Sequence, residues 1–154
     1  MITFCTGDLF KSDAEALVNA VNTDGIMGGG IALQFKIRYP EMYQEYKKLC
    51  DEQQLYTGML YVWPTGSTDG VKYIINFPTK ANCANASRLE YIEVGLDALV
   101  YTIQDEDIKS IAVPALGCGL GGLDWSEVRP LMERKLEPLK DVNIMIYIPY
   151  QLHP

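Results

Sequence analysis

Residues 110–136 read SIAVPALGCGLGGLDWSEVRPLMERKL. The stretch opens on Ser110–Pro114, a short apolar run of the kind that forms a strand buried on both faces. It continues into Gly117-Cys118-Gly119-Leu120-Gly121-Gly122. It closes on Asp124-x-x-Glu127, a capping pattern that predicts a helix over about Trp125–Leu139, with Pro138 ending it. The order is strand, glycine loop, helix. The same order occurs upstream, where Ala16–Asn22 reads as a strand, Gly28-Gly29-Gly30 follows, and a helix over Gly30–Tyr39 stops at Pro40. The two loops hold seven of the 13 glycines. Glycine lets backbone reach positive φ and approach a ligand closely. Successive N–H groups beside a helix N-terminus favour bound phosphate. Neither loop is followed by Lys-Ser/Thr, so neither is a Walker A loop, and neither fits the dinucleotide fingerprint of a first βα unit.

Working outward, Ile2–Cys5, Met59–Trp63, Tyr73–Phe77 and Asn143–Ile148 read as further strands. Met59–Trp63 and Tyr73–Phe77 flank a Thr-Gly-Ser-Thr-Asp-Gly turn and predict a hairpin. Glu41–Gln53 is a charged helical segment. Ser87–Gln104 carries Leu89, Ile92, Leu96, Leu99, Val100 and Ile103 at helical spacing. Its opening Ser87-x-x-Glu90 is expected to be a capping box. Such alternation predicts an α/β fold with a central, largely parallel sheet and helices on both faces. Ligands in that architecture sit beyond the carboxyl ends of the strands.

The chain has 154 residues, with 13 Lys+Arg against 20 Asp+Glu, a net charge of −7. That length suits one domain over 1–154, large enough to fold without disulfides or metals. The acidic balance argues against a protein that coats nucleic acid, since that requires cations to displace counterions. It does not argue against one bound phosphate ligand, because glycine-loop amides need no basic side chains. The sequence shows no signal-peptide pattern and no run of about 18 apolar residues, so a cytoplasmic protein without membrane contact is expected. Cys5, Cys50, Cys83 and Cys118 are far apart, and the only histidine is His153. Neither a metal site nor a histidine-dependent triad is expected.

The strand ends supply the candidate side chains. Asp8 after the first strand suits either an adenine amino group or a turn. Asn19 and Asn22 suit sugar hydroxyls or turn formation. Lys80 ends Asn76-Phe77-Pro78-Thr79-Lys80, where a lysine can pair with phosphate or act as a nucleophile. Cys118 lacks a histidine base, which argues against a thiol nucleophile. Tyr147, Pro149 and Tyr150 end the last strand, where an aromatic can stack on a base.

Together these residues resemble the macrodomain family of ADP-ribose-binding modules. The resemblance rests on Gly7-Asp8-Leu9, Asn19-Ala20-Val21-Asn22, Gly28-Gly29-Gly30-Ile31-Ala32, and Val113–Gly119 followed by Gly121-Gly122. It covers nearly the whole chain. GGGIALQFK at 28–36, Asn76–Lys80, Ser87-Arg88-x-x-Tyr91-Ile92 and GCGLGGLDW at 117–125 resemble the lysine-containing branch. That branch includes DarG-type DNA ADP-ribosyl glycohydrolases and terminal ADP-ribose protein glycohydrolases.

The resemblance implies a three-layer α/β/α fold around a mixed, largely parallel sheet of about six strands. It implies that Asp8 and Leu9 hold adenine, that Ala20, Val21 and Asn22 contact the distal ribose, and that Gly30, Ile31, Ala32 and Leu33 line the first loop with Thr79 beside it. Gly117, Cys118, Gly119, Leu120 and Gly121 would wrap the diphosphate, and Lys80 would be the catalytic lysine. The implied activity is a mono-ADP-ribosyl glycohydrolase that frees ADP-ribose from DNA thymidine or protein glutamate, without a cofactor. The alternatives are a non-catalytic ADP-ribose reader and an O-acetyl-ADP-ribose deacetylase. Implied partners are an ADP-ribosylated macromolecule, such as a modified DNA base without strong binding of extended nucleic acid, and a cognate ADP-ribosyltransferase toxin. Two departures stand out. Gly121 occupies the position where protein-directed enzymes carry a carboxylate. Asn82–Ala86 is less basic and less aromatic than the DarG-type stretch.

Overall fold

The computed structural model describes residues 1–149. Its strands are β1 (Ile2–Cys5), β2 (Ala16–Val21), β3 (Tyr61–Pro64), β4 (Tyr73–Pro78), β5 (Ser110–Pro114) and β6 (Asn143–Tyr147). Its helices are α1 (Gly30–Arg38), α2 (Pro40–Asp51), α3 (Leu89–Asp105) and α4 (Trp125–Leu136). The strands form one six-stranded sheet in the order β1-β6-β5-β2-β4-β3. Every pairing is parallel except β3 with β4, which is the expected hairpin.

The apolar runs form central strands because both faces of the sheet are covered. Ala16, Val18, Ile75, Phe77, Ile111, Val113, Ile144 and Ile146 face one way and pack with Ile92, Leu96, Leu99 and Ile103 of α3 and Val128, Met132 and Leu136 of α4. Leu17, Ile74 and Ala112 face the other way and pack with Phe35 of α1 and Met42, Tyr46 and Cys50 of α2. The helical stripe expected in α3 thus sits on the sheet. Gly95 is what lets it sit closely, since a Cβ there would fall 2.3 Å from the Phe77 ring.

Several boundaries differ from the sequence reading, and three of them have a clear physical cause. Pro40 opens α2 rather than merely ending α1, because its missing N–H is no loss at a first helical position. Helix α4 ends at Leu136, three residues early, in a turn where the Leu139 amide donates to the Leu136 carbonyl. Ser87 does not cap α3: Arg88 is the cap residue, without a side-chain hydrogen bond. Ser87 is instead buried, its amide donates to the Gly121 carbonyl, and its hydroxyl has no partner among the described residues. Position 87 therefore serves the second glycine loop. The cap on α4 does form, with Asp124 accepting from the Ser126 amide at 2.9 Å.

The connectivity places the site. From β2 the chain runs outward to β4, then α3 carries it back past β2 to β5. The strand order reverses between β2 and β5, where an open α/β sheet leaves a crevice at its carboxyl edge. The two glycine loops follow these two strands.

Candidate functional site

A cleft of about 790 Å³ lies at that crevice, within the usual size for a small-molecule site. The loops after β2, β4, β5 and β6 form its walls, together with Leu9 beyond β1. On one side the first turn of α1, Gly30, Ile31 and Ala32, faces the cleft. Their amides have no intrahelical partner, as at any helix start, and the helix dipole adds partial positive charge. Gly30 sits there at φ +58°, a left-handed conformation that favours glycine.

On the other side is the 117–122 loop. It is held by Leu123 donating to the Gly117 carbonyl at 2.9 Å and Gly122 donating to the Gly119 carbonyl at 3.2 Å. The amides of Gly119, Leu120 and Gly121 make no hydrogen bond among the described residues. Such a run of unpaired N–H groups is an anion-binding concavity. The Leu120 side chain is 74% exposed and reaches over the first loop, its Cδ1 only 3.3 Å from where a Cβ at Gly29 would stand.

Gly121 is required by close approach. A Cβ there would lie 2.2 Å from Ser87 Oγ and 2.6 Å from the Gly117 carbonyl oxygen. The loop in this form excludes a carboxylate at position 121. Asp124, the nearest acid beyond it, is engaged as the α4 cap, and the Ser126 amide holds its carboxyl below the usual range. Cys118 is buried, and burial pushes its thiol up to about 12. It is a packing residue and not a thiolate nucleophile.

Lys80 lies in the cleft just past the end of β4. Its Nζ donates to the Cys83 carbonyl at 3.4 Å. The segment that carries it is tied to the turn after β2. The Thr79 amide donates to the Val21 carbonyl at 2.8 Å, the Thr23 hydroxyl to the Ala81 carbonyl, and the Cys83 amide to Asp24 Oδ2 at 3.0 Å.

Among the expected site residues, Leu9, Ala20, Val21, Asn22, Gly30, Ile31, Ala32, Thr79, Lys80, Gly117, Cys118, Gly119, Leu120 and Gly121 line this cleft. Asp8 and Leu33 lie off its wall. Asp8 is at the rim, exposed, its Oδ1 accepting from the Phe10 amide at 3.0 Å as cap of a short helical turn. Leu33 is carried away by the roughly 100° rotation per helical residue after Ala32.

Asn22 settles on the turn alternative, and Asn19 takes up neither role. Asn22 Oδ1 accepts from the amides of Asp24 and Ile26 and from the Tyr46 hydroxyl, and its Nδ2 donates to the Ile26 carbonyl. Only one amide N–H remains for a ligand. Asn19 is fully buried, donating to Asn76 Oδ1 at 3.1 Å across β2 and β4, so it touches no sugar.

Tyr147 and Pro149 line the cleft, whereas Tyr150 and His153 lie outside the described residues. Ile26, Cys83, Pro114 and Ala115 also line it and were not singled out from sequence. Pro114 and Ala115 had a signal, since they end β5. Ile26 and Cys83 had none, because only the tie between the two loops brings them in. Among the described residues no group of three or more His, Cys, Asp or Glu side chains is arranged to hold a metal ion, and no helix is long and apolar enough to cross a membrane.

Known proteins share this arrangement. The chain is 50% identical over 149 residues to the DNA ADP-ribosyl glycohydrolase of Mycobacterium tuberculosis, covering 97% of this chain and 42% of that protein. The chain thus spans less than half the length of that relative. The solved macrodomain of Mycobacterium tuberculosis DarG superposes with a TM-score of 0.93 at 50% identity, covering 96% of this chain and 97% of that one. The Thermosipho africanus DarTG structure in complex with ADP-ribose superposes with a TM-score of 0.90 at 37% identity, over 98% of this chain and 43% of that one. A family model described as Macro domain matches residues 18–132, from β2 and the first glycine loop through Lys80 and the second loop into α4. Cleft, sheet order and sequence therefore agree that this chain belongs to the Macro domain family.

Proposed function

We propose that this chain is a mono-ADP-ribosyl glycohydrolase that removes ADP-ribose from thymidine in DNA, with Lys80 as the catalytic residue. The observation that carries the reading is Lys80 itself: a lysine inside the cleft, beside two loops whose unpaired amides suit a diphosphate. The name of the relative at 50% identity, a DNA ADP-ribosyl glycohydrolase, supports the same activity. In this reading the diphosphate rests on the amides of Gly119, Leu120 and Gly121 and on the start of α1. Leu9 and Tyr147 flank the adenine, and the free Asp8 carboxylate oxygen accepts from its amino group. The distal ribose lies over Ala20, Val21 and the remaining Asn22 N–H, beside Thr79.

Lys80 then stands next to the anomeric carbon. Its amine bonds to that carbon as the bond to the base breaks, and the departing base takes the electron pair and a proton. Water completes the release of ADP-ribose, and no cofactor takes part. Incubation with an ADP-ribosylated thymidine oligonucleotide and with an ADP-ribosylated glutamate protein tests this. Lys80→Ala is expected to lose at least 100-fold in kcat on the thymidine conjugate, the low end of covalent and acid–base contributions of about 10²–10⁴, while calorimetry finds ADP-ribose binding retained. Equal turnover by the two forms excludes the mechanism.

One observation favours a second reading. Position 121 has no room for a carboxylate, so a reader that binds ADP-ribose without turnover is the alternative. Multiple turnovers by the wild type exclude it. A cognate ADP-ribosyltransferase is the proposed partner, supported by a Thermosipho africanus relative named as a DNA ADP-ribosyl transferase–DNA ADP-ribosyl glycohydrolase fusion protein, 38% identical over 165 residues.

A further inference from the structure

One part of the cleft wall, the turn after β2, is both apolar and exposed. Ile26 lines the cleft there yet is 46% exposed, held in place by the Asn22 amide donating to its carbonyl at 2.7 Å. Next to it, the Tyr43 hydroxyl of α2 donates to the Gly25 carbonyl at 3.1 Å. The Lys36 ammonium of α1 stands 4.4 Å from the centre of the Tyr43 ring. These contacts place Tyr43 and Lys36 beside the turn that carries Ile26. Asp24, the carboxylate in the same turn, accepts from the Cys83 amide through Oδ2.

Charge is unevenly distributed over the molecule. Of the 13 Lys and Arg residues, eight make ion pairs: Lys47, Lys72, Arg88, Lys109, Arg129, Arg134, Lys135 and Lys140. Lys11, Lys36, Arg38, Lys48 and Lys80 make none among the described residues. All five lie between Leu9 and α2 or just past β4, and the first of these segments also carries Asp13, Glu15, Asp24, Glu41, Glu45 and Asp51. Helix α1 carries Lys36 and Arg38 and no acid, whereas α3, across the sheet, carries Glu90, Glu93, Asp97 and Asp105 and no base. Lys36, on a helix without acids and set in place by the Tyr43 ring, offers its charge to a phosphate, and Ile26 offers an exposed apolar side chain to a base.

We infer that the surface of Ile26, Tyr43 and Lys36 receives the nucleotides that flank the modified base in single-stranded DNA. The inference rests on the proposed thymidine reading and says how a strand, as opposed to a lone nucleotide, is held. A base whose linkage reaches into the cleft is out of any stack, so its neighbours leave past Ile26. The surface is small, one or two phosphates wide. Its contribution fades with salt at a log–log slope of about −0.7 per cation engaged, which fits a chain of charge −7.

The test is binding in the Lys80→Ala background, which prevents turnover. Free ADP-ribose is compared with an ADP-ribosylated thymidine in a nine-nucleotide single strand, both at 50 mM salt. The strand is expected to bind about tenfold more tightly, an advantage lost on adding Lys36→Glu, halved or more by Lys36→Gln, and lost at 0.5 M salt. Free ADP-ribose binding is expected to be unchanged by Lys36→Glu. A strand that binds no better than ADP-ribose, or an advantage that survives Lys36→Glu, overturns the inference. So does an equal advantage for an ADP-ribosylated peptide of similar length. Failure of the thymidine reading registers separately, as wild-type protein that leaves the conjugate uncleaved.

Discussion

At Gly121 a single absent side chain sets the chemistry of a loop. Its neighbours leave no space for a Cβ, and one of those neighbours is the hydroxyl of Ser87, buried without a partner among the described residues. An aspartate introduced there is expected to displace the 117–122 loop rather than restore an acid. Gly121→Asp is predicted to weaken ADP-ribose binding by more than tenfold in calorimetry, together with a lower melting temperature. Tighter binding would mean that the loop adapts. Residue identity was legible here from sequence, but the reason was not. The missing carboxylate reads as an omission in the sequence, and only the Ser87–Gly121 contact makes it a steric exclusion. Asn22 is the same kind of case. Its amide was ambiguous between sugar and turn until four hydrogen bonds committed it to the turn.

Among the elements, the strands were read closely because parallel strands covered on both faces must be apolar throughout, and nothing else in the chain has that pattern. Helix ends were read less well. Ser87-x-x-Glu90 has the right spacing for a cap, yet tertiary contact with the second loop takes Ser87 away from α3. Local sequence cannot register that competition. Helix α3 also carries a glycine where propensity favours alanine by up to about 1 kcal/mol. Gly95→Ala nevertheless places a methyl 2.3 Å from the Phe77 ring, and overpacking costs about 1–3 kcal/mol. The variant is predicted to be less stable by up to about 2 kcal/mol in urea unfolding, the difference of the two effects. A gain in stability would show that α3 lifts off β4 freely.

Over the whole molecule, burial acts on acids in one direction. It raises the Cys118 thiol to about 12 and is the largest cause of the upward shifts at Cys50 and Tyr46. These groups hold their protons when folded, at pH values where the unfolded chain releases them. The unfolded state then binds fewer protons, so stability is full below about pH 8.5 and falls as pH rises through the range between unfolded and folded values. The melting temperature is predicted to decline steadily from pH 9 to 11, and less steeply in Cys118→Ala. A flat profile would contradict the burial described for these groups.

The converging loops were the part of the site that sequence rendered least. Ile26 and Cys83 enter the cleft only because Thr23 and Asp24 bind the backbone of residues 81 and 83. Leu120 bears on time rather than affinity. It reaches from one glycine loop toward the other, so a ligand that rests on both loops has to pass that side chain on the way in and on the way out. Such an obstacle slows both directions alike and cancels from the equilibrium constant.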